Sequence, residues 1–195
     1  IQQFTNSNIT KICFPLSSEG EIITYALFTE LSLQYQKTNG FIGLLVKSSL
    51  VTSKANQRLF SHLVNNEKIV LIADYINSKK IFNIDSRERF CFILLDDAHK
   101  TFKLTMGCQR INDLIDLSRY IDFSKDDLFL INPDTGMLPN TSDSLQMDFL
   151  KTIMRNNPSF SKAYYDVKFG RIVHFTLHSD NIYKENKPNT LPIYE

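Results

Sequence analysis

The sequence has no tryptophan, only six glycines and six prolines in 195 residues, and charges that almost cancel. Each shortage removes a class of protein. Twenty-two Lys and Arg stand against 21 Asp and Glu, for a formal charge of +1. That excludes a polycationic nucleic-acid binder of the histone type and leaves room for a local basic groove. So little glycine and proline, beside 15 Phe and eight Tyr, excludes a linker or low-complexity chain. The longest apolar run, around Gly40–Val46, falls far short of the roughly 18 residues that cross a bilayer, so no membrane partner is expected. No basic stretch followed by an apolar one opens the chain, and no signal peptide is read. Cys13, Cys91 and Cys108 are odd in number and widely spaced, and two sit in apolar strand-like stretches. That pattern suits reduced, buried thiols in a cytoplasm.

The usual chemical signatures are missing too. The sequence contains neither G-x-G-x-x-G nor G-x-x-x-x-G-K-[ST], the two best nucleotide fingerprints, and no G-x-S-x-G elbow. Of the four histidines only His174 and His178 lie close together, four apart on one face of an expected strand. With no Cys or acid at ligand spacing beside them, no metal is expected; they read as solvated or DNA-facing. Asp96-Asp97 and Asp126-Asp127 are adjacent acids that point apart, and both read as turns. No catalytic constellation is complete.

What is present is a regular alternation of apolar patterns. Ile1–Ser18 is a polar lead-in with one apolar knot at Ile12–Leu16. Ser18 and Glu21 form a candidate capping box, and Ile22, Ile23, Ala26, Leu27, Leu31 and Tyr35 follow at helical spacing up to Asn39-Gly40. Phe41–Val46 reads as a strand buried on both faces, the kind found in parallel sheets. Ser53–Asn65 reads as a helix with Leu59, Phe60, Leu63 and Val64 on one side. Strands follow at Lys68–Ile76 and Glu88–Leu95, with an antiparallel edge at Lys103–Met106. This order defines an α/β fold.

After Gly107 the texture changes, and a boundary falls near residues 107–122, giving segments 1–110 and 111–195. Ile111–Ile121 reads as an amphipathic helix, Asp127–Ile131 as a strand and Asn132–Gly136 as a turn. Ser142–Arg155 reads as a helix with Leu145, Phe149, Leu150 and Ile153 on its apolar side, and Gly170–Leu177 as a last strand.

Polar chemistry concentrates in Asp74–Phe90, after a buried strand, where open α/β sheets place their ligand crevice. Lys79, Lys80, Arg87 and Arg89 are interleaved there with aromatics, a composition suited to phosphate contact and base stacking. The competing reading is a solvated hairpin whose charges pair with one another, Arg87 and Arg89 with Asp85 and Glu88.

Several stretches resemble adenine-N6 DNA methyltransferases of the restriction–modification kind, the fused Type IIG and related phage-defence methylases. They are Ile23-Thr24-Tyr25-Ala26-Leu27-Phe28-Thr29-Glu30, Gly40-Phe41-Ile42-Gly43-Leu44-Leu45-Val46, and Asp74-Tyr75-Ile76-Asn77-Ser78-Lys79-Lys80-Ile81-Phe82. Ser86–Leu95, Ile131–Thr135 with Asp148–Leu150, Gly170–Asn181 and Leu191–Glu195 are similar to later motifs in the family's order. The resemblance runs from about residue 19 to the end. It implies the C-terminal part of a Rossmann-like class I S-adenosylmethionine-dependent methyltransferase sheet, then a small α+β segment leading to a target-recognition domain.

The departures are informative. The family's aromatic-x-G-x-G cofactor loop and its Asn/Asp-Pro-Pro-aromatic motif are absent, and Lys47 stands where the family usually has Pro. The expectation is therefore a fragment that binds no cofactor and is not catalytic alone. Its parent would use S-adenosylmethionine and flip an adenine out of double-stranded DNA. The rest of the parent polypeptide, with its catalytic half, recognition domain and any fused nuclease, is the other expected partner. The resemblance makes Phe82 the base-pocket candidate and Lys79, Lys80, Arg87, Arg89, Arg171, His174 and His178 the DNA-binding candidates. The alternative is a non-enzymatic methyltransferase-like scaffold or DNA-binding module of a restriction complex.

Overall fold

A computed structural model describes residues 8–19, 22–157, 179–183 and 188. The chain divides into two compact units, 1–157 and 158–195. In the second, the described residues form one 3-10 turn at Ser179–Asn181, closed by Ile182 N–H donating to Ser179 O. The strand expected at Gly170–Leu177 lies outside the described residues, as do Arg171, His174 and His178.

The first unit runs α1 (Asn8–Cys13), α2 (Thr24–Gln34), β1 (Ile42–Lys47), α3 (Ser49–Thr52), α4 (Gln57–Asn65), β2 (Ile69–Ile76), β3 (Arg89–Leu95), β4 (Thr101–Cys108), β5 (Ile121–Ser124), α5 (Lys125–Ile131) and α6 (Ser144–Asn156). The five strands form one mixed sheet in the order β1-β3-β2-β4-β5. β3 lies antiparallel between β1 and β2, so those two run the same way. β2 and β4 are parallel, and β5 closes antiparallel on β4. The parallel sheet expected from the apolar runs is thus a mixed one. The C-terminal ends of β1, β2 and β4 and the start of β3 share one end of the sheet.

Alternation along β2 and β3 makes two apolar layers. Ile72, Cys91, Ile93 and Leu95 face the helices and pack with Leu59, Phe60 and Leu63 of α4. Ala73, Tyr75 and Phe90 face the other way with Cys108. The face expected on α4 is the one it buries, each large side chain contributing about 1.5–3 kcal/mol.

Other elements depart from their patterns for identifiable reasons. α2 starts at Thr24 with Ile23 at its N-cap and no side-chain cap. Ser17 and Ser18 are buried, and the Leu16 and Ser17 amides donate to Glu30 at 3.1 and 2.8 Å, so this segment serves a buried carboxylate and not a helix start. β1 alternates half-buried and exposed residues, leaving Leu45 in solvent, because it is the edge strand and pairs with β3 only. β4, expected at an edge, lies inside the sheet.

The helix expected over 111–121 is two 3-10 turns, Ile111–Leu114 and Leu117–Arg119. Asp113 accepts from the Gln109 and Arg110 amides and Asp116 from Ser118, local bonds that compete with helix. Residues 127–131 are helix because Ser124 and Asp127 cap each other reciprocally. α6 buries Met147, while Leu145 and Phe149 of its apolar row are 81% and 65% exposed.

Candidate functional site

The loop after β2 is built around one buried amide. Asn77 opens a 3-10 turn, Asn77–Lys79, and its backbone N–H donates to Glu88 O at 2.9 Å, closing the loop at its base. Its side-chain Nδ2 donates to the carbonyls of Phe82, Ile84 and Asp85 at 3.0, 3.3 and 3.1 Å, and its Oδ1 accepts from Phe82 N–H at 3.0 Å. Lys80 adopts a left-handed conformation, φ +51°, which turns the chain toward that amide.

This bracing fixes the loop's outer side chains. Phe82 is 40% exposed and meets the Phe90 ring edge-on, centroids 5.0 Å apart. Phe90 in turn stacks on Tyr75 at 5.1 Å, so the half-exposed ring ends an aromatic ladder rooted in the sheet. Lys79 and Lys80 are exposed beside it, with no ion pair among the described residues. Arg87 is exposed and donates through Nη2 to Asp85 Oδ2 at 2.7 Å, the pairing that a solvated hairpin predicts. That guanidinium holds the Asp85 carboxyl below its ordinary value, and Asp85 holds Arg87 above its own. Glu88 pairs with Lys47 at 3.1 Å.

Arg89 turns inward. Its Nη2 donates to the fully buried Asp74 and to Thr141 O at 2.7 Å, and Asp74 also accepts from Ser48 Oγ. Nothing in the sequence paired these residues, which lie on β2, β3, the end of β1 and the segment before α6.

A second polar set lies on the opposite face of the sheet. Burial, with Cys108 nearby, pushes the Tyr75 and Tyr120 phenols up to about 12. Burial also raises the Cys108 thiol, next to Thr105 and Arg119. For Asp113 burial acts upward, but the Gln109 and Arg110 amides and two arginines outweigh it and hold the carboxyl low. This set was not legible beforehand; its members are scattered over 75–120 without a motif.

The remaining candidates are structural. Asp97 pairs with Lys68 at 2.5 Å and Asp96 faces His99 at 3.4 Å, in the loop between β3 and β4. Asp127 receives Lys151 and Arg155 at 3.5 and 3.6 Å and sits in a helix cap instead of a turn. Cys91 and Cys108 are buried free thiols and Cys13 is exposed, with burial raising Cys91 strongly. Among the described residues no cluster of three metal-ligating groups occurs, and no helix is long and apolar enough to cross a membrane.

Among the described residues no glycine cradle fits S-adenosylmethionine. Such a site needs a glycine cradle where backbone approaches the ligand. A Cβ at Gly40, Gly43, Gly107 or Gly136 would instead meet the chain's own Lys37, Phe92, Ser142 or Phe129. No step is derived through that cofactor.

Residues 7–82 match the family model of the Eco57I restriction-modification methylase. None of the curated proteins matches. Among solved structures the chain is similar to the type IIG restriction endonuclease BpuSI, at 12% identity and a TM-score of 0.46, over 65% of this chain and 17% of that one. The chain therefore spans about a sixth of that enzyme's length.

Proposed function

We propose that this chain is the part of an adenine-N6 DNA methyltransferase that supplies sheet strands, one wall of the flipped-base pocket and contacts to the DNA backbone, and that it is not catalytic alone. The observation that carries this reading is the Asn77-braced loop. It presents a half-exposed Phe82 near Lys79 and Lys80, which have no ion pair among the described residues, at the strand ends, inside or next to the matched residues. An aromatic face stacks on an extruded base of any sequence, and exposed ammonium groups displace counterions from phosphates. Arg87 joins them once its exposed pair with Asp85 opens, which costs little in water. The methyl donor, S-adenosylmethionine, and the groups that act on the adenine amino group belong to the parent polypeptide outside this chain.

The test is base flipping by the parent protein on a duplex carrying 2-aminopurine at the target adenine. Phe82→Ala should change the emission of the bound duplex and weaken its binding, since the extruded base loses a stacking partner worth about 1–3 kcal/mol. An unchanged signal would remove Phe82 from the pocket.

A second reading, a non-enzymatic scaffold in a restriction complex, draws on the exposed row Leu145, Phe149 and Ile153 along α6. Retained complex assembly with no loss of modification after Phe82→Ala would favour it.

A further inference from the structure

Residues 138–144 form a strap that crosses the end of the sheet in the order of its strands. Leu138 N–H donates to Val51 O at 2.9 Å, in α3, the short helix that follows β1. Thr141 O then accepts from Arg89 at the start of β3, beside Asp74 of β2. Ser142 O sits over Gly107 near the end of β4, so close that a Cβ there would lie 1.7 Å from it. Met106 N–H donates to Ser144 Oγ at 3.2 Å, and the strap passes into α6. Leu138 and Thr141 are buried, as is Met137 just before them, so the strap is packed down and not merely draped.

We propose that Arg89 is a positioning residue that registers this strap against the loop at residues 77–88, and is not itself a DNA contact. One nitrogen, Nη2, serves both Asp74 and Thr141, and Arg89 Nε is buried with no hydrogen-bond partner among the described residues. A guanidinium serving phosphate would face solvent; this side chain is 19% exposed. Arg89 follows directly on Glu88, whose carbonyl closes the loop with Asn77 N–H, and its own carbonyl accepts from Ser48 N–H at 3.3 Å. The root of the loop, the end of β1 and the middle of the strap therefore meet at one side chain. Losing it frees the strap and the loop root together.

The DNA half of this inference rests on the function proposed above; the mechanical half does not. The experiment combines hydrogen exchange on the full chain with duplex-DNA titrations at several salt concentrations. It uses Arg89→Ala and the charge-neutral double variant D74N/R89M, which leaves no buried lone charge if the first fails to fold. Amides that report are Leu138 and Thr141 in the strap and Asn77, Lys80 and Glu88 in the loop, each hydrogen-bonded in the native fold. Either variant should speed exchange about tenfold or more in both segments while β2 and β3 stay protected. DNA affinity should fall with the slope of log K against log salt unchanged. A slope shallower by about 0.9 would make Arg89 a phosphate contact and overturn the proposal. So would unchanged exchange in the strap. If the unaltered chain and its parent bind no DNA, the proposed function fails while the exchange data still decide whether Arg89 positions the strap.

Discussion

The side chain of Asn77 holds Phe82 from both directions, donating to its carbonyl and accepting from its amide, each at 3.0 Å. One buried amide thereby fixes the backbone of the residue proposed to wall the base, and everything exposed on the loop inherits that geometry.

Asn77→Ala removes those bonds and the two to Ile84 and Asp85. The freed loop groups reach water, so the cost should be about 2 kcal/mol and not the sum of the bonds. Urea unfolding checks this as a lower midpoint with unchanged m. Asn77→Asp should be worse, because it sets a carboxylate against three carbonyls.

The buried side of α6 sets a second prediction. Met147 is fully buried, so Met147→Ala should cost about 2–5 kcal/mol. Leu145→Ser on the exposed row should stay within about 0.5 kcal/mol. Denaturant midpoints of the two variants decide it; equal losses would put the apolar row in the core.

Two phenols give the pH prediction. Tyr75 and Tyr120 are raised from the ordinary 10.0 to about 12, so the fold favours their protonated forms. Their stabilising contribution is complete below about pH 10 and is lost as pH rises through about 12. Absorbance titration at 295 nm should show late-ionising phenols near pH 12, and Tyr75→Phe should remove one of them. Ionisation of both near pH 10 would show that the face is open to water.

The parts of this fold that were legible in the sequence are those where one periodicity met one core. Leu59, Phe60, Leu63 and Val64 sit at helical spacing and are all buried. The strand runs at 68–76 and 88–95 hold for the same reason. Phe41–Val46 misled because an apolar run does not distinguish an interior strand from an edge whose outer face is bare. Residues 127–131 misled because apolar content outweighed the capping pair Ser124 and Asp127, which were there to be read. The loop at 77–88 stood out by its composition of cations and aromatics, and the Arg87–Asp85 pair by adjacency. Arg89 was not separable from its neighbours. What turns it inward is Asp74, 15 positions away, and Thr141, 52 positions away, and such contacts exist only once the sheet is formed.

The most direct test of the account is the salt dependence of duplex-DNA binding by the parent protein, with Lys79→Gln/Lys80→Gln beside the unaltered form. If both lysines meet phosphates, binding weakens across all sequences and the slope of log K against log salt flattens by about 1.8, or 0.9 per contact. An unchanged slope would take the loop off the DNA and contradict the central claim.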